Sequence, residues 1–257
     1  MTAGVAEKLW TARTSGGVIA MDGADSPGSD SDAYAVQAKI VEISGARQIG
    51  WKLGATTEQS LKLLGFKEPF FGPLLDRYFH PNGADVPLVP DHNPGIESEF
   101  VVGLGADLLP RAEPYAREEV EDAIAWVAPG FEIVGCRIRD GFKQGGNPLI
   151  ADGGVNMTFV QGEPVKDWRR FDLTGHPVSL TINGEQVASG HSGLLVFGDT
   201  VAAVLWLANH PEIAARGLKQ GEIITTGTCT GLIPISPGDE AVADFGEIGE
   251  VRARFVS

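Results

Sequence analysis

Ile96-Glu97-Ser98-Glu99-Phe100-Val101-Val102-Gly103-Leu104 places two glutamates, one residue apart, in an otherwise apolar run. A second run, Gly130-Phe131-Glu132-Ile133-Val134-Gly135-Cys136, carries one more. Both read as β-strands, in which successive side chains alternate between faces. Glu97 and Glu99 therefore point the same way, with Cα atoms roughly 6.5 Å apart. Burying a carboxylate costs several kcal/mol unless it is paired. Three on buried strands call for a strong positive partner, and a hard divalent cation held by oxygens meets that need most simply. The same alternation also fits the solvated face of an edge strand. Glu132, inside its own apolar run, weighs toward a site.

Outward from these runs the chain changes character often. Residues 4–13 predict a short helix, and 22–32 a polar, turn-rich connection. Asp32 or Ser31 caps a helix from Ala33 to about Ser44, stopped by Gly45. Thr56 with Gln59 forms a capping-box pattern whose helix ends at Gly65. Val120, Ala123, Ile124 and Val127 make a helical stripe over Glu118–Val127. Asp199 opens a helix running to Asn209, and Pro211 to Gly217 adds a further turn or two. Strands are expected at 99–104, 131–138, 155–160, 178–182, 223–226 and 250–256. Asn183-Gly184 marks a hairpin between two of the short strands. Helices and strands do not alternate regularly, so a doubly wound parallel sheet is not expected. The fold class is α+β: a mixed sheet, rolled or sandwiched, with flanking helices. Residues 1–50 read as an N-terminal helical segment and 51–257 as a metal-binding catalytic domain.

The bulk properties narrow the function. The 257 residues are 43% hydrophobic, enough for a core of normal size, and the net charge is −14. Such a balance argues against nucleic acid, whose phosphates demand a basic face, and against an anionic membrane surface. An anionic substrate would need a local cation, a metal or a lysine. Two cysteines, Cys136 and Cys229, make no disulfide framework and suit a reduced cytoplasm. Met1 to Ala20 is broken by Glu7, Lys8, Arg13 and Gly16-Gly17, unlike a signal peptide. The longest apolar run, Val201 to Ala208, is too short to span a bilayer. Gly141 to Gly146 lacks the Gly-Lys-Ser/Thr ending of a nucleotide-binding loop, and Asp152 is placed to order it.

Several stretches together resemble one family. They include Asp32-Ala33-Tyr34-Ala35-Val36-Gln37, Gly50-Trp51-Lys52-Leu53-Gly54-Ala55-Thr56 and Phe71-Gly72-Pro73-Leu74-Leu75-Asp76. The two glutamate runs belong to the set, as do Ala151-Asp152, Ala203-Val204-Leu205-Trp206-Leu207-Ala208-Asn209 and Thr226-Gly227-Thr228-Cys229-Thr230-Gly231. Over about residues 32–257 the chain resembles the fumarylacetoacetate hydrolase superfamily, in its 2-oxopent-4-enoate hydratase and 4-oxalocrotonate decarboxylase branch. The resemblance implies that Glu97, Glu99 and Glu132 bind Mg²⁺ or Mn²⁺. It implies Lys52 near the substrate, and Asp76 and the Thr226–Thr230 loop lining the pocket. It also implies a β-rich roll and a homo-oligomer, dimer or larger. The chain departs from the branch pattern at Arg77, at Gly198-Asp199-Thr200 and at Gly153.

The implied chemistry is that of a small 2-oxo or 2-hydroxydienoate acid from the catabolism of aromatic ring-cleavage products. Its carboxylate and 2-oxo oxygens fill open metal positions, and the metal stabilises an enolate. That intermediate serves hydration, decarboxylation and hydrolytic C–C cleavage alike. Lys52, between Trp51 and Leu53, suits proton transfer or neutralisation of a carboxylate, and Asp76 assists it or orients it. Gly227, Thr228 and Thr230 offer backbone N–H groups and hydroxyls to the substrate. The C–C hydrolase members of the family carry a His–Glu dyad toward the N-terminal side. The first histidine here is His80, which favours a hydratase, with a decarboxylase next, an acylpyruvate-type hydrolase third, and a non-catalytic oligomeric binding protein last.

Overall fold

The computed structural model describes residues 2–257. Among these, the strands are β1 (Gln48–Gly54), β2 (Phe70–Leu75), β3 (Phe79–Pro81), β4 (Ala84–Pro87), β5 (Gly95–Leu104), β6 (Ile124–Val134) and β7 (Asn156–Gln161). They continue with β8 (Pro177–Ile182), β9 (Glu185–His191), β10 (Ile223–Thr228), β11 (Ile233–Pro234), β12 (Glu240–Asp244) and β13 (Glu250–Val256). The helices are α1 (Thr2–Ser15), α2 (Asp30–Ser44), α3 (Glu58–Leu64), α4 (Arg117–Ala123), α5 (Gly141–Gln144), α6 (Asn147–Ala151), α7 (Thr200–Asn209) and α8 (Pro211–Ala214).

Eight strands form the main sheet in the order β2-β1-β10-β5-β6-β7-β3, with β11 paired to the start of β5. It is mixed: β1 runs parallel to β10 and β3 to β7, and the other pairs are antiparallel. A five-stranded sheet, β4-β13-β12-β8-β9, packs against it. This is the α+β class that the absence of regular alternation implies. Strands buried on both faces are near-continuously apolar, as in β5 and β6. β13, by contrast, alternates strictly between exposed and buried residues.

The two faces of the main sheet have different contents. Phe100 on one face meets Phe245 of the second sheet edge to face, centroids 5.0 Å apart. On the opposite face Leu74, Val101, Ala128, Phe159 and Ile223 form a small separate apolar cluster. By strand parity Val101 shares its face with Glu97 and Glu99. The inner face of the rolled sheet is thus apolar at one end and carries the glutamates at the other.

Several boundaries differ from the sequence expectation. The helix expected over Glu118–Val127 ends at Ala123, and β6 begins at Ile124. Ile124 and Val127 pair with Leu104 and Val102 of β5, so sheet formation by β-branched residues overrides the helical stripe. The cap of α2 is Ser29, whose hydroxyl accepts from Asp32 N–H, rather than Ser31 or Asp32. The capping box of α3 is Thr57 with Ser60 rather than Thr56 with Gln59. The Asn183-Gly184 hairpin joins β8 and β9 with φ of +54° and +82°, the sense of a type I′ turn. β1 begins at Gln48, before residue 51, and apolar residues of α1 and α2 enter the same core as the sheets.

Candidate active site

Antiparallel pairing of β5 and β6 sets Glu97 directly opposite Glu132, with Glu99 two residues along on the same face. Each glutamate offers an oxygen within 4.8 Å of the others. Glu99 and Glu132 are fully buried, and Glu97 is half-buried. Like charges directly opposite in a sheet repel, so the arrangement is unfavourable without a cation. From β1, Lys52 is only 2% exposed and brings Nζ to 3.1 Å from Glu132 Oε1. With all three carboxylates ionised, the single ammonium leaves two negative charges in the chamber. Glu99 Oε1 and Glu132 Oε2 are buried without a hydrogen-bond partner. Orphan oxygens of this kind cost about 1–3 kcal/mol each. Oxygen donors, a balance of two negative charges and two unpartnered oxygens fit a hard divalent cation. Burial, then the charge of Glu132, raises the Glu97 carboxyl to about 7. Glu99 is held well above the usual carboxylate range by burial, then by Glu132 and Glu97.

The remaining oxygens are held by the fold. Gly227 N–H donates to Glu99 Oε2 at 2.9 Å, and Asn156 Nδ2 donates to Glu132 Oε1 at 3.0 Å. Gly227 sits at φ +103°, and any Cβ there would collide with Thr56; only glycine brings this amide to Glu99. An irregularity after Thr225 lets β10 pair Thr228 with Glu99. Thr230 N–H donates to Thr228 Oγ1 at 3.3 Å, and Thr230 Oγ1 accepts from Ser98 N–H at 3.3 Å. Thr228 and Thr230 therefore flank the glutamates. Thr226 instead turns its hydroxyl to the Phe100 carbonyl, 3.2 Å away.

Asp76 lies elsewhere. In the β1–β2 ladder Gly72 faces Lys52, and Asp76 follows four residues later, roughly 13 Å along the strand. Its side chain is 39% exposed and takes Arg47 N–H at 3.2 Å. The structure does not bring it to the glutamates. Asp199 caps α7 through Ala202 N–H and pairs with Arg117 at 2.8 Å, a structural use of that acid.

Of the supporting layer the sequence reading names only Asp152, and that as ordering the Gly141–Gly146 loop, whereas its carboxylate is engaged by Arg137. Lys52 Nζ also donates to the Gly154 carbonyl at 2.8 Å. That carbonyl belongs to a run, Gly153-Gly154-Val155, with φ of +66°, +65° and +59°. Positive φ at a β-branched valine is strained. Asp152, just before it, clamps buried Arg137: its carboxylate accepts from Arg137 Nε at 2.7 Å and from Arg137 N–H at 2.8 Å. Arg137 Nη2 donates to the Asp152 carbonyl as well. Arg137 was detectable as a lone charge in the apolar stretch Ile133–Ile138; Asn156 and Gly154 carry no comparable signal.

A cleft of about 550 Å³ reaches Thr228 and Thr230 from outside, between Thr57–Gln59 of α3 and the segment around Leu194 to Val196. Another hollow, about 360 Å³, is walled by Tyr34, Trp51 and Phe71 and contains none of the three glutamates. Neither cavity is lined by the three glutamates or by Lys52. Strand alternation turns Trp51 away from the face of Lys52, whereas Thr228 of the first cleft pairs with Glu99, so the first cleft is the one that adjoins the glutamates.

Comparison with known proteins identifies the family. The profile of the fumarylacetoacetate (FAA) hydrolase C-terminal domain matches residues 71–256. A 2-keto-4-pentenoate hydratase of Paraburkholderia xenovorans is 33% identical over 229 residues, covering 88% of this chain and 84% of that one. A 2-hydroxyhexa-2,4-dienoate hydratase of Comamonas testosteroni is 35% identical over 213 residues, covering 81% and 79%. The structure of 4-oxalocrotonate decarboxylase from Pseudomonas putida G7, complexed with magnesium and adipate, superposes with a TM-score of 0.90 at 28% identity, covering 99% and 97%. The chain belongs to the fumarylacetoacetate hydrolase family.

Proposed function

We propose that this enzyme is a divalent-metal-dependent hydratase that adds water to a small 2-hydroxydienoate of the 2-oxopent-4-enoate type. Glu97, Glu99 and Glu132 would hold Mg²⁺ or Mn²⁺, and Lys52 would move the proton. The observation that carries the reading is the buried Lys52 ammonium 3.1 Å from Glu132, in the chamber formed with Glu97 and Glu99. When bound, the cation supplies electrophilic polarisation of a 2-oxo group.

The chain's own residues supply the rest. Hydration places a proton on carbon and takes one from water. An ammonium has three N–H groups; Lys52 directs one to Gly154 O and one to Glu132. One remains for the substrate. Thr228 Oγ1 already accepts a bond from Thr230 N–H, which leaves its own O–H to donate to a substrate carboxylate. The apolar cluster behind the glutamates keeps bulk water from the inner end and strengthens these interactions. Asp76, paired with Arg47, takes no part in this scheme.

The charge of the cleft supports a hydratase over a decarboxylase of a dicarboxylate. Among the described residues no lysine, arginine or histidine lines it, whereas Glu58 does. A second carboxylate at the far end of the substrate would find no counter-charge there. Leu194 and Val196, 46% and 39% exposed, suit a neutral tail. A homo-oligomeric state and a cytoplasmic location complete the proposal, and two free, buried cysteines suit a reducing compartment.

The test is direct. With Mg²⁺ or Mn²⁺ the protein should convert 2-hydroxypenta-2,4-dienoate to 4-hydroxy-2-oxopentanoate, seen as loss of the conjugated chromophore. Release of CO₂ from a 2-oxohexenedioate with the dienoate untouched would establish the decarboxylase instead. Cleavage of acylpyruvates alone would establish a hydrolase. Metal binding without turnover of any of the three would leave a binding protein.

A further inference from the structure

The last turn of helix α1 carries Arg13, whose guanidinium reaches the start of β7. Nη1 donates to the Asn156 carbonyl and Nη2 to the Met157 carbonyl, each at 2.6 Å, while the group lies 4.0 Å from the centre of the Tyr78 ring. Arg137 Nη1 donates to the same Asn156 carbonyl at 2.9 Å. Two cations converge on one peptide group of one strand. Burial, then the charge of Arg137, lowers the Arg13 guanidinium to about 10. Such an arrangement persists only where the carbonyls compensate it.

The target is a defect in the sheet. In the β6–β7 ladder Ile133 pairs with Thr158, yet Val134 pairs with Asn156, so Met157 is an extra residue. A bulge disrupts the local ladder and re-aims neighbouring side chains. Phe159 stands opposite Glu132; regular alternation would put Met157 on that face and Asn156 on the other. The bulge reverses this and delivers the Asn156 amide to Glu132 Oε1 at 3.0 Å.

We infer that Arg13 is a positioning residue for the metal centre: by holding the carbonyls of the Met157 bulge it keeps the Asn156 amide on Glu132, so that the N-terminal helix sets the geometry of the third carboxylate. This rests on the metal reading above. Arg13 lies outside residues 71–256, the span matched by the family profile, so the support comes from a part of the chain beyond that domain.

The experiment is calorimetric titration of Mn²⁺ into EDTA-treated full-length protein: wild type, Arg13→Met, Arg13→Lys, Asn156→Ala and the two double variants. Groups supporting a metal ligand typically change affinity by about 10–100-fold; Arg13→Met should weaken binding about tenfold. Arg13→Lys, with one ammonium for two carbonyls, should fall between it and wild type. Since Arg13 acts through Asn156, its substitution should add little to the loss in Asn156→Ala. Wild-type affinity in Arg13→Met, or losses that add in full in the double variant, would overturn the inference and leave the metal reading standing. If Arg13→Met does not fold, the Arg13→Lys and Asn156→Ala cycle decides by the same criterion. A wild-type protein that binds no Mn²⁺ overturns both.

Discussion

At the scale of single residues, the candidate site brings four ionisable groups together under burial. Glu99→Gln keeps the shape of the side chain and the acceptor for Gly227 N–H, but removes one unit of charge from the chamber. We expect a folded protein that has lost most of its Mn²⁺ affinity, measured by calorimetry; native affinity would place the metal elsewhere. Lys52→Met keeps length and apolar contacts and removes the proton. General acid–base catalysis is worth roughly 10²–10⁴-fold, so kcat should fall by about that factor while Mn²⁺ still binds. A raised KM with native kcat would mean that Lys52 only neutralises a carboxylate, an interaction present equally in ground and transition states. The glutamates stood out in the sequence as charges in apolar runs and Lys52 through the family resemblance, and the structure brings the four side chains together. Asp76 was expected at the pocket through the family resemblance, and the β1–β2 ladder carries it away from Lys52. Asn156 and Gly154 were invisible, since their roles depend on a bulge and on a left-handed run that no residue type announces.

Among the elements, those with their own local signals were legible: the Asn183-Gly184 hairpin, the Asp199 cap of α7 and the glycine ends of α2 and α5's neighbour α3. The junction of α4 and β6 was not, because Ile124 and Val127 serve equally as a helical stripe and as β-branched strand residues. Pairing with β5 decides between them. Helix α3 shows a different dependence. It has no buried residue, and Leu63 is 76% exposed, so packing contributes little and the Thr57–Ser60 capping box contributes much. Thr57→Ala should cost about 1 kcal/mol of local helix stability. Amide exchange over residues 58–64 should quicken about fivefold, since 1.4 kcal/mol is a factor of ten. Because Thr57 to Gln59 wall the cleft, KM for the dienoate should rise while Mn²⁺ affinity stays native. Faster exchange with an unchanged KM would show that α3 does not contact the substrate.

The whole molecule is a roll whose inner face is apolar at one end and anionic at the other, and the two ends oppose each other in stability. Burial, then the charge of Glu132, raises the Glu97 carboxyl to about 7, and burial, then Glu132 and Glu97, holds Glu99 well above the usual carboxylate range. A carboxyl raised in the folded state holds its proton more tightly there than in the unfolded chain. Over the interval between the ordinary value of 4.5 and about 7 the folded protein therefore binds more protons, and stability falls as pH rises through it. Metal-free protein should lose thermal stability from pH 5 to pH 8 on this account. A divalent cation acts in the opposite sense, because it binds the ionised carboxylates and competes with the protons. At a hundredfold excess over Kd, bound Mn²⁺ would add about 2.7 kcal/mol, roughly 5–10 °C in Tm for a chain of this size. The gap between the melting curves of EDTA-treated and Mn²⁺-loaded protein should thus be small at pH 5 and widen steadily toward pH 8. Differential scanning calorimetry at four or five pH values at fixed free Mn²⁺ measures it. A gap that stays constant or narrows as pH rises would mean that the cation does not draw its charge balance from these three glutamates.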